Sequence, residues 1–189
     1  MAPTIPQVES WNPQTLVAAG SAMQTAGTAL ADRLAEVDLA VDRCAQTWVG
    51  DASAAASMSA VSEVLTATVS RRATDTVGEA MVTQGEMLGV YRGVVLEVRD
   101  AAGRNGMSVA PDGSVTSPTV PGTNDDAFRL VLQGLLDRQA ADFQTSLKEN
   151  LAQCGSALTA LRSAWPGVWR TSNSTVVPAV PASVRWCCR

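Results

Sequence analysis

A chain of 189 residues is long enough for one domain of ordinary size with a core of its own. Only 4% of it is aromatic against 46% hydrophobic, so Ala, Val and Leu dominate the apolar content, which suits narrow helix-helix contacts better than a thick sandwich core. A net charge of −4 with no basic face argues against nucleic acid as a main partner, and the absence of histidine removes Ser-His-Asp and Cys-His nucleophiles together with every His-containing zinc site.

The N-terminal MAPTIPQVES has neither a basic n-region nor an apolar h-region, so no cleavable signal peptide is expected. No window of about twenty residues is free of charge, which argues against a membrane span. The first helix is announced by WNPQTL. Asn12 is placed as the N-cap, Pro13 suits the first helical position, and Trp11 can reach forward to Leu16 as a hydrophobic staple. Leu16, Met23, Leu30, Leu34, Val37, Val41, Cys44 and Trp48 then recur at intervals of three, four and seven, a heptad seam. Asp32, Arg33, Glu36, Asp38, Asp42 and Arg43 form the opposite, solvated face.

Gly50 ends that helix, since a residue without Cβ accepts the conformations that cap a C-terminus, and Asp51 is read as the next N-cap. A second helix is expected over 52–102, burying Met58, Val61, Leu65, Val69, Val77, Met81, Leu88, Tyr91, Val95 and Val98. Its start is crowded with small residues, and Ala54, Ala55 and Ala56 leave a notch that the Trp48 indole can cover. Gly85, Gly89 and Gly93 recur every four residues, each costing roughly 1 kcal/mol of helix propensity relative to Ala. Two readings compensate for or absorb that cost: a close backbone crossing along this face, or a break in the helix.

Residues 103–123 change to Gly, Pro, Ser and Thr, and MSVAPDGSVT reads as two short strands about a Pro-Asp-Gly turn. A third helix is then expected, capped by Asn124, with a seam of Phe128, Leu132, Leu135, Phe143, Leu147, Leu151, Cys154, Leu158, Leu161 and Trp165, and with Pro166 and Gly167 as its stop. The remaining Ser/Thr/Pro-rich residues read as a tail, in which Trp169, Trp186 and the Cys187-Cys188 pair are out of character. The four cysteines have no metal-ligand spacing. Cys44 and Cys154 are read as small buried hydrophobes, with a disulfide between them as the alternative. Carboxylate pairs such as Asp32/Glu36 and Glu79/Glu86 arise from helical spacing alone and do not mark an active site.

The expected fold class is all-α: an elongated helical hairpin with a Trp-x-Gly turn and a third long helix, in an up-down-up bundle. Because the first helix is shorter than the second, the last turns of the second project unless the third folds back beside them. The corresponding boundaries are 1–102 for the hairpin, 103–124 for the linker or small β-hairpin, 125–165 for the third helix and 166–189 for the tail.

Trp48-Val49-Gly50 between two Ala-rich amphipathic helices resembles the WXG-type (early secreted antigen-like) proteins of type VII (ESX) secretion in actinobacteria, over about residues 10–102. That resemblance implies a non-enzymatic helical interaction protein, with no cofactor or metal, that pairs with another WXG-like protein or with itself and engages the secretion machinery. It implies secretion or cell-envelope placement without a signal peptide, a cytoplasmic role being the alternative. A second functional reading is the N-terminal targeting module of a larger secreted enzyme or toxin. Interaction residues on the leading reading are Trp48 and Gly50 at the turn, the face Gly85, Gly89 and Gly93, and a second Trp-x-Gly at Trp165 and Gly167. The family's Tyr-x-x-x-Asp/Glu export signal is missing, since the single tyrosine, Tyr91, is followed four residues on by Val95.

Overall fold

The computed structural model describes residues 2–48, 50–122 and 126–170, with the side chains of Ala52 and of 165–170 left aside. Four helices and one two-stranded ribbon follow in the order α1 (Ile5–Ser10), α2 (Pro13–Thr47), α3 (Asp51–Arg104), β1 (Ser108–Val109), β2 (Val115–Thr116) and α4 (Asp126–Arg170). The expected all-α bundle is present, and the ribbon lies where the Pro-Asp-Gly turn placed it. At ~1.5 Å per residue, α3 is about 80 Å long and α2 about 50 Å, so α2 leaves the end of α3 uncovered. α4 and α1 fill that gap.

The α2–α3 pair is held by a backbone crossing rather than by large side chains. A Cβ on Gly20 would lie 2.6 Å from the carbonyl oxygen of Gly78 and 2.9 Å from the Met81 Cβ, and one on Gly78 would lie 2.9 Å from the carbonyl oxygen of Gly20. Seven residues along, a Cβ on Gly27 would run into the Asp75 carboxylate, and one on Gly85 would lie 2.8 Å from Val17 Cγ2. Glycines at a seven-residue interval on both helices therefore set the register. The row of α2 that faces α3 is Pro13, Gly20, Gly27, Leu34, Val41 and Trp48, and burial fades along it from buried to half-buried to exposed.

This corrects the expected first seam. Leu16, Met23, Leu34 and Val41 are half-buried, whereas Leu30, Val37, Cys44 and Trp48 are exposed, because the small residues of α2 make the contact and turn the larger ones to its flank. α3 is continuous from Asp51 to Arg104, so the glycine-rich stretch does not break it. Its second half is buried as expected, at Val77, Met81, Leu88 and Val95. Its first half is not: Met58, Val61, Leu65 and Val69 face solvent.

The principal core lies at the end away from the turn. Leu88 and Val95 of α3 meet Leu147, Leu151, Cys154 and Ala157 of α4, and Ile5 and Val8 of α1 close the cluster. Ala102, Met107 and Ala140 form a second cluster one step further on, which makes α4 antiparallel to α3. Sequence reasoning passed over α1. Its signals are the Pro at the second helical position and Gln7, whose Oε1 accepts the Thr4 N–H at 2.9 Å. Arg92 donates to the Glu9 carbonyl at 3.0 Å and Arg99 meets the Glu9 carboxylate at 3.0 Å, pinning α1 to α3.

The ribbon, with Ser108 opposite Thr116 and Val109 opposite Val115, is tied at both ends. The Ile5 N–H donates to the Pro111 carbonyl at 2.8 Å, and the Val115 N–H to Gln144 Oε1 at 3.2 Å. Gly113, at φ +83°, sits so close to α4 that a Cβ would lie 3.1 Å from Leu151 Cδ1. Asp112 accepts the Ser114 N–H and hydroxyl, which hold its carboxyl below the usual carboxylate range. Asp137 is lowered in the same way by the Ser117 hydroxyl and the Gln133 amide. The expected cap at Asn124 lies outside the described residues. α4 runs on to Arg170, so Pro166 and Gly167 do not stop it and the expected end at 165 is too early.

Two outcomes test this packing. Gly20→Ala loses about 1–3 kcal/mol in urea unfolding because the Cβ presses on a backbone carbonyl, while Gly93→Ala, whose Cβ meets nothing within 4 Å, gains up to about 1 kcal/mol. The lowered carboxyls of Asp112 and Asp137 contribute stability that is present above the ordinary Asp pKa of about 3.9 and lost as pH falls through their folded values. Stability therefore drops below about pH 4, and Asp137→Asn flattens part of that drop in a pH series of thermal melts.

Candidate functional site

The turn between α2 and α3 is tight, and its geometry explains both residues of the Trp-x-Gly pair. Trp48 is the C-cap of α2, its N–H bonded to the Cys44 carbonyl at 2.9 Å. Gly50 stands at φ +117°, ψ 178°, a backbone conformation essentially restricted to glycine. It is the N-cap of α3, so Asp51 is the first helical residue and places its carboxylate at the positive end of the helix dipole. The Ser53 hydroxyl, 8% exposed, donates to the Trp48 carbonyl at 2.7 Å and closes the reversal. Ser53 was not singled out in the sequence, where no capping pattern marks it, since serine caps from the N-cap position that Gly50 holds.

The Trp48 indole is 53% exposed, and Ala54, Ala55 and Ala56 are exposed beside it. The indole thus presents a large apolar face at the tip of the hairpin. Below it, residues 30–70 form a two-helix arm. Ala157 of α4 belongs to the same cluster as Leu88 of α3, and Leu88 lies about 55 Å from Asp51 along the helix. The thirteen residues that follow Ala157, up to Arg170, reach back only about 20 Å. α4 runs toward the turn but stops short of it, so the arm is uncovered near its tip. On the arm, Met58 is 69% exposed and Leu65 62%, with Val61 and Val69 on the same i, i+3/i+4 stripe and Leu30 and Val37 on α2.

The three glycines proposed as one face have different surroundings. Gly85 is buried against Val17 and the Pro13 carbonyl, a Cβ on Gly89 would lie 4.0 Å from Pro13 Cβ, and Gly93 faces open space. The close crossing runs instead through Gly20, Gly27, Gly78 and Gly85, which a seven-residue count of glycines would have found. Gly167 lies within α4, and the side chain of Trp165 lies outside the described ones. Further exposed apolar residues, Leu130, Val131 and Leu135, occupy the start of α4.

The two cysteines within the described residues are free, and they differ. Cys44 is exposed on the arm and Cys154 is buried in the core, where desolvation pushes its thiol pKa up. The expected reading of both as small buried hydrophobes holds for Cys154 and not for Cys44, and the alternative, a disulfide between them, is not formed. Asp32, Glu36, Glu79 and Glu86 are all exposed, with Glu36 paired to Arg33 at 2.8 Å. No helix among the described residues is long and apolar enough to cross a membrane.

No family model, curated protein or solved structure matches the chain.

Gly50→Ala is expected to cost about 1–3 kcal/mol through backbone strain, whereas Trp48→Ala, which empties no core, costs under about 1 kcal/mol. Chemical denaturation of the two variants beside the wild type gives both numbers.

Proposed function

We propose that the protein is a non-enzymatic helical interaction protein, similar in mode to the WXG-type proteins its turn resembles, and that it associates with another helical chain along the arm. One observation supports this most directly: the apolar stripe Met58, Val61, Leu65 and Val69 on α3, with the half-exposed Trp48 above it, lies where no element of the described chain covers it. Side chains of this size each contribute about 1.5–3 kcal/mol when moved from water into a contact. Exposed in a contiguous row, they favour association. An intact hairpin with a continuous α3 is also the form in which such an arm docks without a folding cost.

On this reading the chain leaves the cytoplasm by a route that reads a helical hairpin rather than a signal peptide. Tyr91, half-buried against the main core, offers no export signal of the Tyr-x-x-x-Asp/Glu kind, so the partner supplies it.

The test is co-expression with small helical proteins encoded beside it, followed by size exclusion with light scattering. The wild type is expected to elute as a defined complex. Leu65→Glu keeps its helical circular dichroism and melting temperature, since the residue is exposed, but weakens the complex at least about tenfold, equivalent to about 1.4 kcal/mol. A complex that Leu65→Glu leaves untouched, or a lone monomer in every combination, overturns the proposal.

A further inference from the structure

The charge of the chain is concentrated on the arm. Residues 30–70 hold six carboxylates, Asp32, Glu36, Asp38, Asp42, Asp51 and Glu63, against the guanidiniums of Arg33 and Arg43, a net of −4. The rest of the sequence holds twelve acidic and twelve basic residues, so the arm carries the whole formal charge of −4. All six carboxylates are exposed, and among the described residues Arg33–Glu36 is the ion pair that the arm contains.

The glycine crossing says where this charge lies relative to the apolar stripe. Gly20 stands opposite Gly78 and Gly27 opposite Asp75, so residue numbers at one level of the pair add to about 100. Asp42 is then level with Met58 and Asp38 with Ser62. In an antiparallel pair, residues one and four positions after the facing row of either helix share a flank. Relative to the rows that contain Gly20 and Gly78, Asp38 and Asp42 of α2 occupy those positions, and so do Met58, Val61 and Leu65 of α3. Asp51 begins the same stripe, seven residues before Met58. The exposed apolar strip is thus edged by carboxylates along the tip half of the arm.

Resting on the reading of the arm as a docking surface, we infer that its occupant is an amphipathic helix of a different chain, with an apolar seam flanked by Lys and Arg. A second copy of this chain fits poorly. Two arms laid together bring −4 against −4 within the screening length of about 8 Å at physiological salt, and like charges juxtaposed at an interface select against that pairing. A basic-edged helix neutralises the same carboxylates while its seam covers Met58, Val61 and Leu65, the arrangement by which flanking charges choose partners for apolar helical seams.

The test uses the full chain and three synthetic helical peptides of about six turns. Two share one Leu/Val seam, with Lys/Arg flanks in one and Glu flanks in the other, and the third has the basic flanks with Gln in place of the seam. Fluorescence anisotropy at low and physiological salt is expected to show the basic apolar peptide binding at least tenfold more tightly than either control, with the gap over the acidic peptide narrowing as salt rises. Leu65→Gln weakens that binding at both salts, and Asp38→Asn with Asp42→Asn reduces the preference for basic flanks while leaving the acidic peptide's binding unchanged or stronger. Equal binding of the two apolar peptides overturns the charge assignment and leaves the docking reading standing. Equal binding of the basic peptide with and without its seam reduces the effect to charge alone and overturns the inference. Sedimentation equilibrium of the chain by itself covers the remaining case: a dimer that Leu65→Gln dissociates makes a second copy the occupant, and a monomer that binds no peptide overturns the docking reading as well.

Discussion

The contact on which the rest of the molecule depends is the approach of two backbones at Gly20 and Gly78. With no Cβ on either side, the two helices meet carbonyl against Cα; one heptad away Gly85 repeats the approach against the backbone of Pro13 and Val17, while in the other direction Gly27 makes room for the Asp75 carboxylate. A contact of this kind tolerates little sliding, because a shift along the helix puts a side chain where only hydrogen fits. It therefore fixes which residues of α2 and α3 stand level, and with them the flank on which every larger side chain emerges.

The consequence is a molecule with two unlike halves. At the end away from the turn, α1, α4 and the β-ribbon gather around the second half of α3, and Leu147, Val95, Val8 and Cys154 are fully enclosed. Small local bonds hold that assembly in place: Gln7 on Thr4, Arg92 and Arg99 on Glu9, Gln144 on the ribbon and Gln133 on the connection before α4. At the other end the hairpin stands as a bare pair of helices, tied at its tip by the Ser53 hydroxyl and the extended Gly50. Stability is concentrated in one half, and apolar surface together with charge in the other.

That division gives the Trp-x-Gly turn a plain physical meaning. Glycine is needed for the chain to reverse at φ +117°, and the tryptophan, about half of which its own chain leaves exposed, is a large amphipathic surface at the tip. Neither residue is called for by the core. On the proposed docking of the arm, both belong to a tip that meets another surface, and the carboxylates along the arm would restrict the surfaces that fit.

Much of this architecture was legible in the residues. The seven- and four-residue recurrence of apolar side chains specified long helices, Pro13 and Gly50 marked where they begin and turn, the Pro-Asp-Gly segment marked the ribbon, and unequal helix lengths required α4 to fold back beside the end of α3. Those features are local or follow from length, and a single chain carries them in plain order. What periodicity could not supply was which apolar stripe faces inward. Cys44 and Cys154, or Leu65 and Leu88, look alike as members of a seam, yet one of each pair is exposed and the other enclosed. The difference arises only when a partner helix is present at that level, and that depends on where the glycine crossing sets the register and on how far α4 reaches. Helix positions are written in sequence because each turn bonds to the next, whereas burial belongs to the packed assembly, where a side chain is inside only if another element covers it.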